Sequence, residues 1–390
     1  MVSRALSCVV FTASFLLCLT GCSGISAPPV SSSPQTQEIL FTHPGSEMKV
    51  FGLRIDPDDG TLTQVPGSPY LVPNPTSIFL HLRATPDGHT LLVGGQGSFF
   101  AYPINSNGGL GAMVSAPNVH MAGAIEVMPG PGNLIYTANA YPGDVTTSVL
   151  DPQAGAISAP IAHLTCADST ILPCMELVGE SPDGTTLWAR GILTVSTGSI
   201  AELYPIAVDS LGRLTLPGGS VPSGVVGASP VFWNGGVAFV DPGSTMQVNA
   251  TRMAFWNRDG ELLQLCTAED APACAQAVTL ALDPTLRFLF IGTQDNRIWS
   301  FPFDPASGIS RKRGISFDLG FRRSSGMMVN STGKFLYVLD NFQNTITGYR
   351  INRANGSLTP IGPPFQLSDS PGSGDLAEMG MTIAKVPVEH

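Results

Sequence analysis

The sequence predicts an all-β fold, a seven-bladed β-propeller with four antiparallel strands per blade, and three observations predict it. The composition is turn-rich: 43 Gly and 33 Pro among 390 residues, with 43% hydrophobic but only 12% charged residues, suit short strands and tight turns better than long helices. One hairpin turn recurs at seven places along the chain. The two ends read as complementary parts of a single blade.

Charge narrows the function classes before any motif is considered. With 19 basic against 29 acidic residues the formal net charge is −10, a field of the wrong sign for a phosphate backbone or an anionic lipid surface, so nucleic acid is excluded as a partner.

The first segment is an address. Arg4 precedes an apolar run from Ala5 to Leu19, too short to span about 30 Å of hydrocarbon but suited to the core of a signal peptide. The run ends in Leu19-Thr20-Gly21-Cys22, which resembles the lipobox of bacterial lipoproteins, where cleavage before the cysteine frees it for lipidation. Residues 1–21 are therefore expected to be a signal peptide, Cys22 the lipidated N-terminus, residues 22–37 a Ser/Pro tether and 38–390 the propeller. Ser23 follows the cysteine where inner-membrane lipoproteins often carry Asp, which points to the outer membrane as the location on a bacterial cell envelope.

The repeat begins after the tether. Ile55-Asp56-Pro57-Asp58-Asp59-Gly60-Thr61-Leu62 has the pattern of a hairpin turn with a left-handed glycine, and the pattern returns through 104–110, 150–157, 208–214, 256–262, 303–309 and 351–358. Its glycines are Gly60, Gly109, Gly155, Gly212, Gly260, Gly308 and Gly356, a mean period of about 49 residues. Between these turns lies a second repeated unit, a turn before a dense apolar strand: Thr85-Pro86-Asp87-Gly88 before Leu91-Leu92-Val93, Ser181-Pro182-Asp183-Gly184 before Leu187-Trp188, and Ser331-Thr332-Gly333-Lys334 before Phe335-Leu336-Tyr337-Val338. Such a unit cannot bury both faces alone, so copies must stack. Two or three β-sandwich domains would be the alternative, and would leave the seven turns unexplained.

The ring must close. Met381 to Val386 reads as an inner strand lacking its blade, while Glu38 to Thr42 begins a blade at its second strand; pairing them removes two exposed edges. Cys166, Cys174, Cys266 and Cys274 remain after Cys8 and Cys18 leave with the signal and Cys22 is lipidated. Four cysteines allow three pairings. The equal spacing of eight in both local pairs favours two disulfide-closed loops, 166 to 174 and 266 to 274, over a zinc site, since neither pair is Cys-x-x-Cys.

Thr293-Gln294-Asp295-Asn296-Arg297-Ile298 through Phe303-Asp304-Pro305-Ala306-Ser307-Gly308-Ile309, and Leu339-Asp340-Asn341 through Tyr349-Arg350-Ile351-Asn352, resemble blades of the lactonase-type seven-bladed propellers. That family includes the propeller-type 6-phosphogluconolactonase and the fungal carboxymuconate lactonising enzyme, and is related to the YVTN surface repeats. The resemblance covers nearly everything after Gln37 and implies a lactone-opening activity at the channel mouth. Such chemistry needs a base, a group that polarises the carbonyl and a cationic clamp. Candidates for the catalytic roles are His120, Glu126 and Glu176; Glu126 falls within the expected inner strand 124–128, where a charge must face the wet channel. Arg322 and Arg323 are the candidate ligand-binding residues, and with Arg311-Lys312-Arg313 they place five of the 19 basic residues within positions 311–323, able to clamp a carboxylate or phosphate. Family lactonases carry His and Arg near the start of several inner strands, whereas 227–233 and 277–282 contain neither.

Other apparent motifs have plainer readings. Ser331-x-x-Lys334 occupies the position of the Pro-Asp-Gly turn, and Asp56, Asp58 and Asp59 lack the spacing and distal Glu of a calcium loop. No cofactor and no metal is expected, and the chain reads as a monomer. Two functions follow from different classes: a binding module that takes a small anionic ligand, a glycan or a protein partner at the channel mouth, or a hydrolase that opens a sugar-acid lactone.

Overall fold

The computed structural model of the chain describes residues 35–388 except 45–46, 74–80, 96–97, 116–124, 140–143, 152–155, 165–174, 196–197, 217–220, 223–229, 242–251, 268, 311–313, 321–323 and 369–379. Every described strand belongs to the unit Thr36–His390, and the strands form seven antiparallel sheets, the blades. In ring order the innermost strands are Met381–Pro387, His81–Ala84, Ile125–Pro129, Met175–Glu180, Val231–Trp233, Ala277–Leu282 and Gly326–Val329, and we number blades 1 to 7 in that order. Each innermost strand contacts its two neighbours, so the ring is continuous.

Closure occurs as the chain ends suggest. Thr36–Thr42 is the second strand of blade 1, and it pairs along its whole length with Met381–Pro387, Leu40 opposite Ile383 and Thr42 opposite Met381. The first and last strands thus share one sheet, with Met381–Pro387 as its innermost strand.

The dense apolar strands are explained by how blades stack. Side chains alternate across a strand, and here both faces are covered by a neighbouring blade. Ile39 and Phe41 pack into blade 2 with Leu82, Leu91 and Val93, whereas Leu40 points the other way, against Phe335, Tyr337 and Leu339 of blade 7. Leu336 and Val338 in turn face blade 6. Among the described residues, one apolar cluster fills each of the seven junctions between blades. Each such Leu, Val or Phe contributes about 1.5–3 kcal/mol by leaving water, so the stability resides between blades.

Polar contacts cross the same junctions. Glu38 of blade 1 accepts from Asn330 Nδ2 at 2.8 Å and from the Ser331 amide at 2.7 Å in blade 7, and the Tyr337 hydroxyl donates to Gly60 O at 2.8 Å. Ser331 and Lys334 therefore belong to a structural turn, in which the Lys334 amide donates to Asn330 Oδ1. The Asp56 carboxylate is likewise spent on the hairpin, accepting from the amides of Asp58 and Asp59.

The outer rim is blunted. In blades 1 and 7 the outermost strand is split, Leu62–Gln64 from Tyr70–Leu71 and Leu358–Pro360 from Phe365–Gln366, with both halves pairing to the third strand. Pro66 and Pro69 interrupt the first and Pro363 and Pro364 the second, which removes amide donors and denies a flat edge to another chain.

The hairpin glycines adopt the left-handed region at Gly60, Gly212, Gly260, Gly308 and Gly356. In blade 2 the residue that does so is Gly108, with φ of 83°, and not the expected Gly109, because the turn there is one residue tighter before its closing Leu110 bridge; Gly155 lies outside the described residues. The second turn has positive φ at Gly88, Gly184 and Gly333, while blade 6 places Leu286 there at φ 56°, a conformation that costs about 1–2 kcal/mol for a residue with a Cβ. Packing of Leu286 against the junction of blades 5 and 6 holds it.

Cys266 and Cys274 are joined, with Cα atoms 5.7 Å apart. The bond ties the outermost strand of blade 5 to the short helix Pro272–Gln276 that leads into blade 6, and a ring of this size contributes about 2–3 kcal/mol. Cys166 and Cys174, like Cys22, lie outside the described residues.

Gly88 shows how tightly the closing strand is held, since a Cβ there would sit 1.7 Å from the backbone oxygen of Lys385, whereas a Cβ on Gly132 would meet nothing within 4 Å. Gly88→Ala is expected to lower unfolding free energy by about 3 kcal/mol or more, and Gly132→Ala by only about 1–2 kcal/mol, both read by denaturant titration. Equal losses would show that the contact across the closure does not contribute.

Candidate functional site

The seven innermost strands enclose an axial cavity of about 380 Å³, of a size suited to a small molecule. Met128, Phe232, Leu280, Leu282, Met327 and Met381, from five blades, supply much of an apolar wall. Against it stand two charged residues among the described lining, Arg83 from blade 2 and Glu180 from blade 4.

Local sequence explains why these two reach the axis. Arg83 lies on the short strand His81–Ala84 just before the Thr85-Pro86-Asp87-Gly88 turn, and its Nη1 donates to Leu82 O at 2.9 Å. Glu180 is the last residue of Met175–Glu180, directly before Ser181-Pro182-Asp183-Gly184. A β-bulge precedes it: Leu177 pairs with Ala189 but Gly179 with Trp188, so Val178 is the extra residue and the strand is re-aimed just before the carboxylate. Gly179 leaves room for Phe232 from blade 5, whose ring would lie 1.7 Å from a Cβ at that position.

The electrostatics of Glu180 are unusual. Its Oε2 is buried and has no hydrogen-bond partner among the described residues. Burial pushes its carboxyl up to about 7, and the positive charge of Arg83 opposes the shift without cancelling it. The buried Tyr136 hydroxyl, from the second strand of blade 3, also lacks a described partner, and burial followed by the charge of Glu180 raises its pKa. A carboxyl that titrates near neutrality beside a guanidinium can accept or release a proton as a ligand arrives.

The side chains of the residues expected to form the site lie outside the described ones. Glu126 and Glu176 lie on innermost strands, opposite Ala138 and Arg190 respectively, in the positions anticipated for channel residues; only their backbone is described. His120, Arg322, Arg323 and the stretch 311–313 lie outside the described residues. Arg83 and Glu180 sit toward the ends of their strands, beside the Pro-Asp-Gly turns. The signal that could have found them is the repeat itself: where blade 4 has Glu180 before its turn, blades 2, 6 and 7 have Ala84, Leu282 and Val329, and where blade 2 has Arg83, blades 4, 6 and 7 have Gly179, Ala281 and Met328.

Comparison with solved structures accounts for the architecture. A candidate 6-phosphogluconolactonase from Bacteroides fragilis superposes with a TM-score of 0.63 at 16% identity, covering 92% of this chain and 100% of its own. The periplasmic gluconolactonase of Pseudomonas aeruginosa gives 0.58 at 18% identity, covering 90% and 99%. A second candidate 6-phosphogluconolactonase, from Bacteroides uniformis, gives 0.58 at 15% identity over 90% and 98%. The fold is the lactonase-type seven-bladed propeller. No protein-family profile matches the chain, and no curated protein sequence does. At these identities the fold is what is shared, and function must be argued from the site.

Because the folded state favours the protonated form of Glu180, an unfolded chain releases that proton more readily between the usual carboxylate range and about 7, so the ionised residue costs stability above that window and nothing below it. Glu180→Gln is expected to raise unfolding free energy by about 2–3 kcal/mol near pH 8 and to leave it unchanged near pH 4, measured by denaturant titration at the two pH values. The same gain at both would contradict the assignment.

Proposed function

We propose that the chain is a binding module of the cell envelope that holds a small anionic molecule in its axial cavity, without catalysis. The observation that carries this reading is that Arg83 and a near-neutral carboxyl, Glu180, line one cavity whose described wall is otherwise largely apolar. A cavity of about 380 Å³ favours a small molecule over a glycan chain or a protein partner. An exported location follows from the signal-like segment and from Leu19-Thr20-Gly21-Cys22, with a lipid on Cys22 as the anchor and residues 22–37 as the tether. In cells fed radiolabelled palmitate, label is expected on the wild-type chain and absent from Cys22→Ala; an equally labelled variant would refute the anchor.

The second reading is lactone hydrolysis, with Glu180 as the base that activates water and Arg83 polarising the carbonyl. It is favoured by a carboxyl whose pKa near 7 suits proton transfer at neutral pH, and by the gluconolactonase among the fold neighbours. Against it, an aldonolactone is a polyol, and an apolar wall leaves its hydroxyls without partners.

The two readings separate in one experiment. Purified full-length protein mixed with a panel of aldonolactones is expected to release no protons above the spontaneous rate, while organic anions bind by calorimetry and Arg83→Gln weakens that binding by about tenfold or more. Turnover that disappears in Glu180→Gln would replace the binding module with the hydrolase.

A further inference from the structure

A second cavity, of about 550 Å³, lies at the junction of blades 6 and 7 and shares no described lining residue with the axial one. The repeat explains why a space exists there. In blades 1 and 7 the residue before the hairpin is an arginine that reaches the next blade: Arg54 Nη2 donates to Asn107 O of blade 2 at 2.7 Å, and Arg350 Nη2 to Asp58 O and Asp59 O of blade 1 at 3.3 and 3.1 Å. Arg350 pairs opposite Phe335, and its guanidinium lies 5.1 Å from the centre of that ring. Blade 6 keeps the ring and lacks the arginine, since Phe288 pairs opposite Pro302. A pyrrolidine ring cannot span to the next hairpin, so Ala354 and Asn355 of blade 7, the counterparts of Asp58 and Asp59, line an open gap.

Two residues of blade 6 give the gap its chemistry. Leu286 lines it from a φ of 56°, at the turn where blades 2, 4 and 7 have Gly88, Gly184 and Gly333, so the strained residue also contributes apolar wall, as strain at ligand sites often does. Arg287 follows. Its guanidinium rests 5.7 Å from the centre of the Phe288 ring, and among the described residues it makes no hydrogen bond and no ion pair. The acids near it in the chain are engaged: Asp283 faces Arg353 and accepts from the Thr285 amide and hydroxyl, and Asp304 accepts from the Ala306 amide and the Ser307 hydroxyl. Between Ala277 and Gln366 the undescribed positions are Arg311, Lys312, Arg313, Phe321, Arg322 and Arg323, and none of them brings an acid. A guanidinium with unspent donors beside an aromatic wall suits an anion, whereas a ligand ammonium would only add positive charge.

Independently of the axial site, we infer that this second cavity binds a small aromatic carboxylate, with the carboxylate on Arg287 and the ring against Leu286, Phe288 and Phe303. Asn355 supports the same end of the ligand. Its Oδ1 accepts from the Ser357 amide at 2.9 Å, and its Nδ2 donors, unspent among the described residues, serve the second carboxylate oxygen.

The test uses the full chain with naphthoate as probe, and naphthalenemethanol and naphthylmethylamine as neutral and cationic controls, followed by calorimetry. Naphthoate is expected to bind, with Arg287→Gln weakening it by about tenfold or more and Arg83→Gln leaving it unchanged. Pro302→Arg restores the arginine of blades 1 and 7, and should abolish binding without lowering the unfolding midpoint, which separates a filled cavity from a damaged fold. Binding that survives both Arg287→Gln and Pro302→Arg overturns the site, and preference for the alcohol or the amine overturns the ligand class. Binding kept in Arg287→Gln but lost in Arg83→Gln assigns the ligand to the axial cavity, so the second site falls while the binding module stands. If organic anions bind at the axis and naphthoate does not bind at all, the second site likewise falls alone.

Discussion

Burial between blades is the constraint on which everything else in this molecule depends. A single four-stranded sheet here has two apolar faces and no helix to cover either, so it is stable only as a member of a ring. The alternation along Ile39-Leu40-Phe41, two side chains into blade 2 and one into blade 7, shows how one strand serves two junctions. A ring with that requirement cannot tolerate an end, and pairing of Thr36–Thr42 with Met381–Pro387 supplies the missing interface. The glutamate at position 38, which binds the turn of blade 7, adds a polar latch at the same seam.

The closed ring has a chemical consequence. It brings residues nearly a hundred positions apart, Arg83 and Glu180, into one cavity and surrounds them with methionine, leucine and phenylalanine. Withdrawal from water is what moves the glutamate toward neutrality, and the arginine does not fully offset it. An environment of this kind makes the protonation state responsive to whatever enters, which is a property of binding sites and of catalytic sites alike. Blade architecture supplies the wall; the identity of two residues on it supplies the chemistry.

Fold and site were unequally legible. Seven turns and the complementary ends carried the architecture because periodicity and turn chemistry are local, and a left-handed glycine is visible in sequence wherever it recurs. Even there the blade 2 hairpin uses Gly108 in place of Gly109, since two adjacent glycines leave the choice to the turn's closure. The candidates drawn from resemblance and charge were His120, Glu126, Glu176, Arg322 and Arg323, residues whose side chains the structure does not describe. Glu180 and Arg83 escaped notice because each looks like an ordinary residue beside a turn.

By itself the sequence determined a β-propeller of seven units, its closure by the chain ends, and the pairing of Cys266 with Cys274 as the favoured local bond. All of these follow from patterns that a short window or a simple period contains. Only the tertiary structure decided which ionisable groups meet at the axis, because a bulge at Val178 sets the direction of Glu180 and burial by other blades sets its pKa. Direction and desolvation depend on residues far away in sequence, and no local pattern records them.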